Sequence, residues 1–228
     1  MSTTTLVFDV LGTLLDEDGG RLAAAEEVVG APAVQLVARW EELSQAATLA
    51  MRERRRPYAV AEAVSAEAVA AAAAEMGERL TEAQVARLVG SGRQLEPFPE
   101  VADTLRRLAP SLALVALTNA GTAQAHAMSR SAGLRWTSLV SGETIGAYKP
   151  DPRMYEHLVR ALDLDVRQCV FVAAHPWDLD AAARHGFRTA YVDRASSSPD
   201  LMAAYARRFD HVAADLTSLA RLLSMRDR

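Results

Sequence analysis

Cysteine is nearly absent: Cys169 is the only one in 228 residues. That excludes an internal disulfide framework and any zinc cluster built on thiolates. No apolar run approaches the ~20 residues needed to cross a bilayer as a helix, so no membrane partner is expected. Basic charge is not in excess either. Lys+Arg total 25 against 29 Asp+Glu, a formal net charge of −4, whereas a nucleic-acid binder carries a basic footprint; nucleic acid is therefore not an expected partner. The opening Met1-Ser2-Thr3-Thr4-Thr5 has neither the basic flank nor the apolar stretch of a secretory signal, and a cytoplasmic location is expected. The rest is ordinary globular composition, 50% hydrophobic and 24% charged, which argues against disorder.

Residues 6–11 form a short apolar run broken by Asp9 and punctuated by Gly12-Thr13. Similar runs recur at 113–117, 169–174, 189–192 and 211–214, with helix-period stretches at 100–108, 122–132, 152–162 and 178–185. Runs of this length fit strands buried on both faces. Their alternation with helices predicts an α/β fold, a Rossmann-like doubly wound parallel sheet. Residues 16–95 contain no strand-like run. Leu36, Trp40, Leu43 and Ala47 share one helical face, as do Ala66, Val69, Ala70 and Ala73. The pattern predicts a helical cap domain over 16–95, inserted after the first strand, on a core made of 1–15 and 96–228.

Ligands of open α/β sheets sit beyond the carboxyl ends of the strands. Those ends carry Asp9 with Gly12-Thr13, then Thr118-Asn119, then His175-Pro176-Trp177-Asp178, with Lys149 between the last two. A carboxylate, a hydroxyl–amide pair, a lysine and a second carboxylate on one rim are the inventory of a nucleophilic carboxylate site. Local sequence also allows blander roles. Asp9 can cap a turn, Lys149 can be an exposed loop residue, and Thr118-Asn119 or Asp178 can cap helices. A lone histidine such as His175 is more often packed than catalytic.

The segments Asp9-Val10-Leu11-Gly12-Thr13, Leu117-Thr118-Asn119, Lys149-Pro150-Asp151-Pro152 and 174–178 occur in the order of four motifs of the haloacid dehalogenase-like superfamily, which the chain resembles. Residues 148–155 and 173–178 are most similar to the L-2-haloacid dehalogenases. The likeness covers the sheet domain well and the insert poorly. It implies hydrolysis of a short 2-haloacid in two steps: Asp9 displaces halide to form an ester, and water then releases the 2-hydroxy acid. It further implies Asp9, Lys149, Asp178 and Thr13 as catalytic residues. Lys149 keeps Asp9 ionised, Asp178 positions or deprotonates the water, and Thr13 supports the loop. Thr118 and the backbone around Leu11 would hold the substrate carboxylate. Asn119 and the insert residue Arg39 would hold the halide, with Arg52, Arg54, Arg55 and Arg56 as alternatives to Arg39. Tyr155, His175 and Trp177 would border the site. The resemblance also implies a homodimer.

The superfamily's magnesium-dependent phosphatases are the alternative, together with hydrolases of other carbon–heteroatom bonds. A phosphatase needs an acid two residues after the nucleophile to protonate its leaving alkoxide, and Leu11 stands there. Ala173-Ala174-His175 occupies the place of the leading metal-binding acid. Asp9 and Asp178 with a lysine between them make a poor cage for an ion that wants hard oxygen ligands. A halide departs unaided. Neither a metal nor a cofactor is expected. Leu11 where the dehalogenases carry tyrosine, His175 in place of asparagine, Ala173 in place of serine and Thr118 in place of serine are departures that bear on substrate choice.

Overall fold

The computed structural model describes residues 3–226; Met1 and Ser2, part of the opening segment read above, lie outside them, as do Asp227 and Arg228. The chain starts on strand β1 (Thr5–Phe8) and runs at once into helices α1 (Glu17–Val29), α2 (Ala33–Arg52), α3 (Ala61–Glu75) and α4 (Glu82–Gly90). It then alternates: α5 (Val101–Leu108), β2 (Ala113–Thr118), α6 (Thr122–Ser131), β3 (Ser138–Ser141), α7 (Gly142–Ile145), α8 (Pro152–Ala161) and β4 (Cys169–Ala173). The last elements are α9 (Pro176–Arg184), β5 (Arg188–Val192), α10 (Pro199–Ala206), β6 (His211–Ala213) and α11 (Leu216–Arg226). No helix among the described residues is long and apolar enough to cross a membrane.

All strand pairs are parallel and the order is β3-β2-β1-β4-β5-β6. This is the doubly wound Rossmann-like sheet that the sequence predicts. Alternate residues serve opposite faces. Leu6, Phe8, Leu114, Ala116, Val170 and Val172 pack on one side with α5, α6 and α11. Val7, Val115, Leu117 and Phe171 pack on the other with α8 and α9. Strand order reverses between β1 and β4, so a crevice opens at their carboxyl ends. Phe8 is in register with both Ala116 and Val172, which brings the residues that follow all three strands to one rim.

The helices between β1 and α5 bury a core of their own around Leu36, Trp40, Val69, Ala72 and Leu88. The face of α3 differs from expectation. Val64, Ala68, Val69, Ala72 and Ala73 are buried, whereas Ala70 is exposed and Ala66 only half-buried. In an alanine-rich helix every side looks alike, so packing partners choose the buried face. β3 also escapes the sequence pattern, because this edge strand has only two apolar residues and its first half is partly exposed. β1 stops at Phe8, and Val10 accepts bonds from the backbone N–H groups of Thr13, Leu14 and Leu15, which turns the chain over Asp9.

Candidate active site

Asp9 is anchored through its backbone N–H to the carbonyl of Val172, 3.0 Å away. Its carboxylate takes three hydrogen bonds: Lys149 Nζ donates to Oδ1 at 2.6 Å, Thr13 Oγ1 to Oδ2 at 2.6 Å, and His175 Nδ1 to Oδ2 at 2.8 Å. Thr13 Oγ1 in turn accepts from the backbone N–H of Ala174 at 2.9 Å, tying the loop after β1 to the loop after β4. Arg194 braces the same turn by donating to the Thr13 carbonyl. Gly12 has φ +69° and a Cβ there would lie 3.0 Å from His175 Cε1. Both the backbone conformation and the close approach of the imidazole require glycine at this position.

Lys149 Nζ donates equally to Asp178 Oδ2, at 2.6 Å. Asp178 Oδ1 accepts from the Tyr155 hydroxyl. The lysine backbone is held by its N–H to Asn119 Oδ1 at 2.7 Å. That use of Oδ1 leaves the Asn119 amide N–H groups for the cavity, which Asn119 lines. Burial opposes the charge on Asp9, but Lys149 and His175 outweigh it and hold its carboxyl well below the ordinary carboxylate range. Burial also works against the Lys149 ammonium, and the two carboxylates reverse it, so the amine sits above the usual lysine range. Asp178 goes the other way: burial is the leading influence, and its carboxyl lies above the ordinary value despite Lys149. The shared ammonium therefore serves chiefly to keep Asp9 ionised.

A cavity of about 290 Å³ opens over Asp9, walled by Leu11 and Trp177 from the sheet side and by Arg21, Ser44, Gln45 and Thr48 from the helices α1 and α2. Trp177 stacks on His175 with ring centroids 5.4 Å apart. Tyr148 closes the α3 side, its hydroxyl donating to the Ala59 carbonyl at 2.8 Å.

Of the residues expected at the site, Asp9, Leu11, Asn119, His175 and Trp177 line this cavity. Thr13, Lys149 and Asp178 are buried beneath it in contact with Asp9 or with one another. Three expectations are corrected. Arg39 points away from the cavity and pairs with Glu75 at 2.5 Å and Glu42 at 2.7 Å on the outside of α2. Of its alternatives, Arg55 and Arg56 are likewise engaged, with Glu53 and Glu67. Thr118 is buried, its Oγ1 accepting from the Ala120 N–H, so it shapes the turn before α6 and does not reach the cavity. Tyr155 lies behind Asp178 and touches no cavity surface. Asp178 is not at the N-cap either: α9 starts at Pro176, and the N-cap position is His175, whose side chain does not cap the helix.

Sequence reasoning missed Arg21, which stands in the cavity, bonded to Glu17 at 2.5 Å and lying 5.5 Å over the Trp40 ring. The i,i+4 spacing of Glu17 and Arg21 at the start of the insert is a signal for a pair on one helix face, but not for which way that face looks. Glu17 and Glu41 add two carboxylates to the lining. Exchanging Arg39 for alanine is expected to leave kcat/KM within about twofold, as for other exposed ion pairs. Arg21→Ala is expected to raise KM by about tenfold or more, the loss of one charge-assisted hydrogen bond. Steady-state kinetics of the two variants checks this.

The magnesium ion used by related phosphatases does not fit this donor set. An ammonium occupies the point between the two carboxylates, 2.6 Å from each. Among the described residues no group of three or more His, Cys, Asp or Glu side chains converges as metal ligands.

A family model described as haloacid dehalogenase-like hydrolase matches residues 3–186. The chain is 28% identical over 203 residues to (S)-2-haloacid dehalogenase 4A of Burkholderia cepacia, covering 87% of each protein. The crystal structure of the L-2-haloacid dehalogenase PA0810 superposes with a TM-score of 0.90 at 31% identity, over 98% of this chain and 100% of that one. A dehalogenase crystallised with an intermediate complex follows with a TM-score of 0.85 at 27% identity, over 97% of each chain.

Proposed function

This chain belongs to the haloacid dehalogenase-like hydrolase family, and from that premise we propose that it hydrolyses short 2-haloacids to 2-hydroxy acids through an ester on Asp9. The observation that carries the proposal is the state of Asp9: a buried carboxylate, kept ionised by a lysine 2.6 Å away, at the floor of a small cavity. Such a group is a nucleophile aimed at carbon. Leu11 offers no proton to a leaving group, which suits a halide. The relatives are named as dehalogenases of 2-haloacids, which supports this substrate class.

In the first step Asp9 attacks the carbon bearing the halogen, forming a carbon–oxygen bond as the carbon–halogen bond breaks. The Asn119 amide and Arg21 are the donors that face the departing anion. In the second step water adds to the ester carbonyl and the hydroxy acid leaves, restoring Asp9. Helices α1 to α4 act as the cap of residues 16–95 over a core of 1–15 and 96–228, excluding bulk water during displacement. Homodimerisation, implied by the family likeness, and a cytoplasmic location, expected from the opening segment, complete this reading.

Halide release from L-2-chloropropionate or L-2-bromopropionate is expected, unchanged by a chelator. Failure across a panel of short 2-haloacids, or magnesium-dependent cleavage of p-nitrophenyl phosphate in its place, would remove the proposal. A second reading keeps Asp9 but changes the bond. Glu17 and Glu41 in the lining suit a substrate carrying a basic nitrogen, and a panel that includes halogenated or cyclic amino acids separates the two.

A further inference from the structure

The water step needs a base, and the geometry does not provide it where the family pattern puts it. Asp178 is fully buried, with one oxygen on Lys149 and the other on Tyr155. It has no exposed surface and lines no part of the cavity, so a water there does not reach it. Lys149 is held between two carboxylates, and Thr13 is sealed beneath Asp9. His175 is the side chain that both bonds the Asp9 carboxylate and lines the cavity, with its side chain 37% exposed. Gly12 beneath the ring and Trp177 stacked upon it fix the imidazole plane.

We propose that His175 is a catalytic residue, the general base that deprotonates the water attacking the Asp9 ester. The proposal rests on the ester reading above and assigns the proton within it. His175 Nδ1 lies 2.8 Å from Oδ2, so a water approaching the adjoining carbonyl carbon comes within its hydrogen-bond reach.

The resting enzyme holds this base in reserve. His175 is faced by Asp9 after β1, Lys149 before α8, Asp178 in α9 and Glu17 in α1. Burial favours the neutral ring, but the bond and charge of Asp9 reverse that, placing the imidazole above its ordinary value. Alkylation of Asp9 cancels the carboxylate charge. Burial and the Lys149 ammonium then drive the proton off His175 to solvent, which frees a ring nitrogen as the ester appears. The neutral ring takes a proton from water as hydroxide adds to the carbonyl carbon. The tetrahedral adduct collapses to the carboxylic acid of Asp9 and the product alkoxide, and the acid proton passes to the alkoxide. Ionised Asp9 and protonated His175 are restored, and the net products are hydroxy acid, halide and one proton.

Rapid-quench single turnover with L-2-bromopropionate, followed by mass analysis of the Asp9 peptide, tests this. The wild type is expected to show a transient ester whose breakdown accelerates as pH rises through the His175 titration. In His175→Ala breakdown should slow by about 10²- to 10⁴-fold, the ester should accumulate, the pH limb should vanish, and added imidazole should empty the ester. His175→Gln, which keeps a donor for Asp9 but cannot exchange a proton, should also accumulate ester and serves if the alanine variant misfolds. Wild-type breakdown rates with an unchanged pH limb in either variant would overturn the assignment while leaving the ester reading intact. A wild type that turns over without ever carrying the ester overturns both.

Discussion

Asp9→Asn is expected to cut turnover by about 10⁴-fold or more, the scale on which loss of a nucleophile acts. An amide is a far weaker nucleophile than a carboxylate, and it also fails the surrounding donors. Three groups donate to Asp9, one to Oδ1 and two to Oδ2. Turning either end into an NH₂ sets donor against donor, whichever way the amide faces. The protein should fold with a stability loss of about 1–3 kcal/mol, the range for leaving a buried donor unsatisfied. The matching positive test is one turnover of the wild type in heavy-oxygen water. Label is expected in the Asp9 carboxylate, because the water oxygen enters at the ester carbonyl. An unlabelled Asp9 peptide with labelled product would mean direct attack of water on the substrate.

The second large effect is expected for Lys149→Met. The side chain is 1% exposed and lies between carboxylates that are themselves 6% and 0% exposed. Removing the cation leaves Asp178 with the Tyr155 hydroxyl alone and Asp9 with Thr13 and His175, a loss of about 3–5 kcal/mol. Activity should disappear with it, since Asp9 loses the charge that keeps it ionised. The pH dependence shifts as well. In the wild type the folded Asp9 titrates below its unfolded value, so its contribution is complete above the ordinary carboxylate pKa and is lost as pH falls toward the lowered one. In the variant Asp178, already above its unfolded value, loses the cation that lowers it and rises further, while Asp9 keeps only Thr13 and His175 against burial. The folded state then binds more protons, and stability should fall as pH rises from about 4. Urea unfolding from pH 4 to 8 reads this directly. Lys149→Met combined with Asp178→Asn should recover part of the stability and none of the turnover. A variant as stable as the wild type at pH 8 would show that the ammonium does not compensate these acids.

Much of this protein is legible in its order of residues. Five of the six strands show as apolar runs, because a parallel sheet covered on both faces has no polar alternation to obscure it. Asp9 is conspicuous for the same reason: a charge at the end of such a run is costly unless something compensates it. Lys149, Asp178, Thr13 and Asn119 follow from their places at strand and helix ends. The sequence also shows that Leu11 cannot donate a proton. These are local properties, set by residue type and by position along a strand.

Tertiary structure decided what faces what. An insert read only as helical faces gave no reason to prefer Arg21 over Arg39; the first turns into the cavity and the second pairs outward with Glu42 and Glu75. Thr118, Tyr155 and Asp178 are expected at the site's edge, yet all three are buried away from the cavity. His175, which local sequence cannot distinguish from a packed ring, is the group joining Asp9 to the cavity. Helix period tells which residues share a side, but the rotation of that side toward a partner depends on contacts distant in the chain. The fold and the carboxylate at the cavity floor could therefore be read from sequence, while the direction of each charge required the packed molecule.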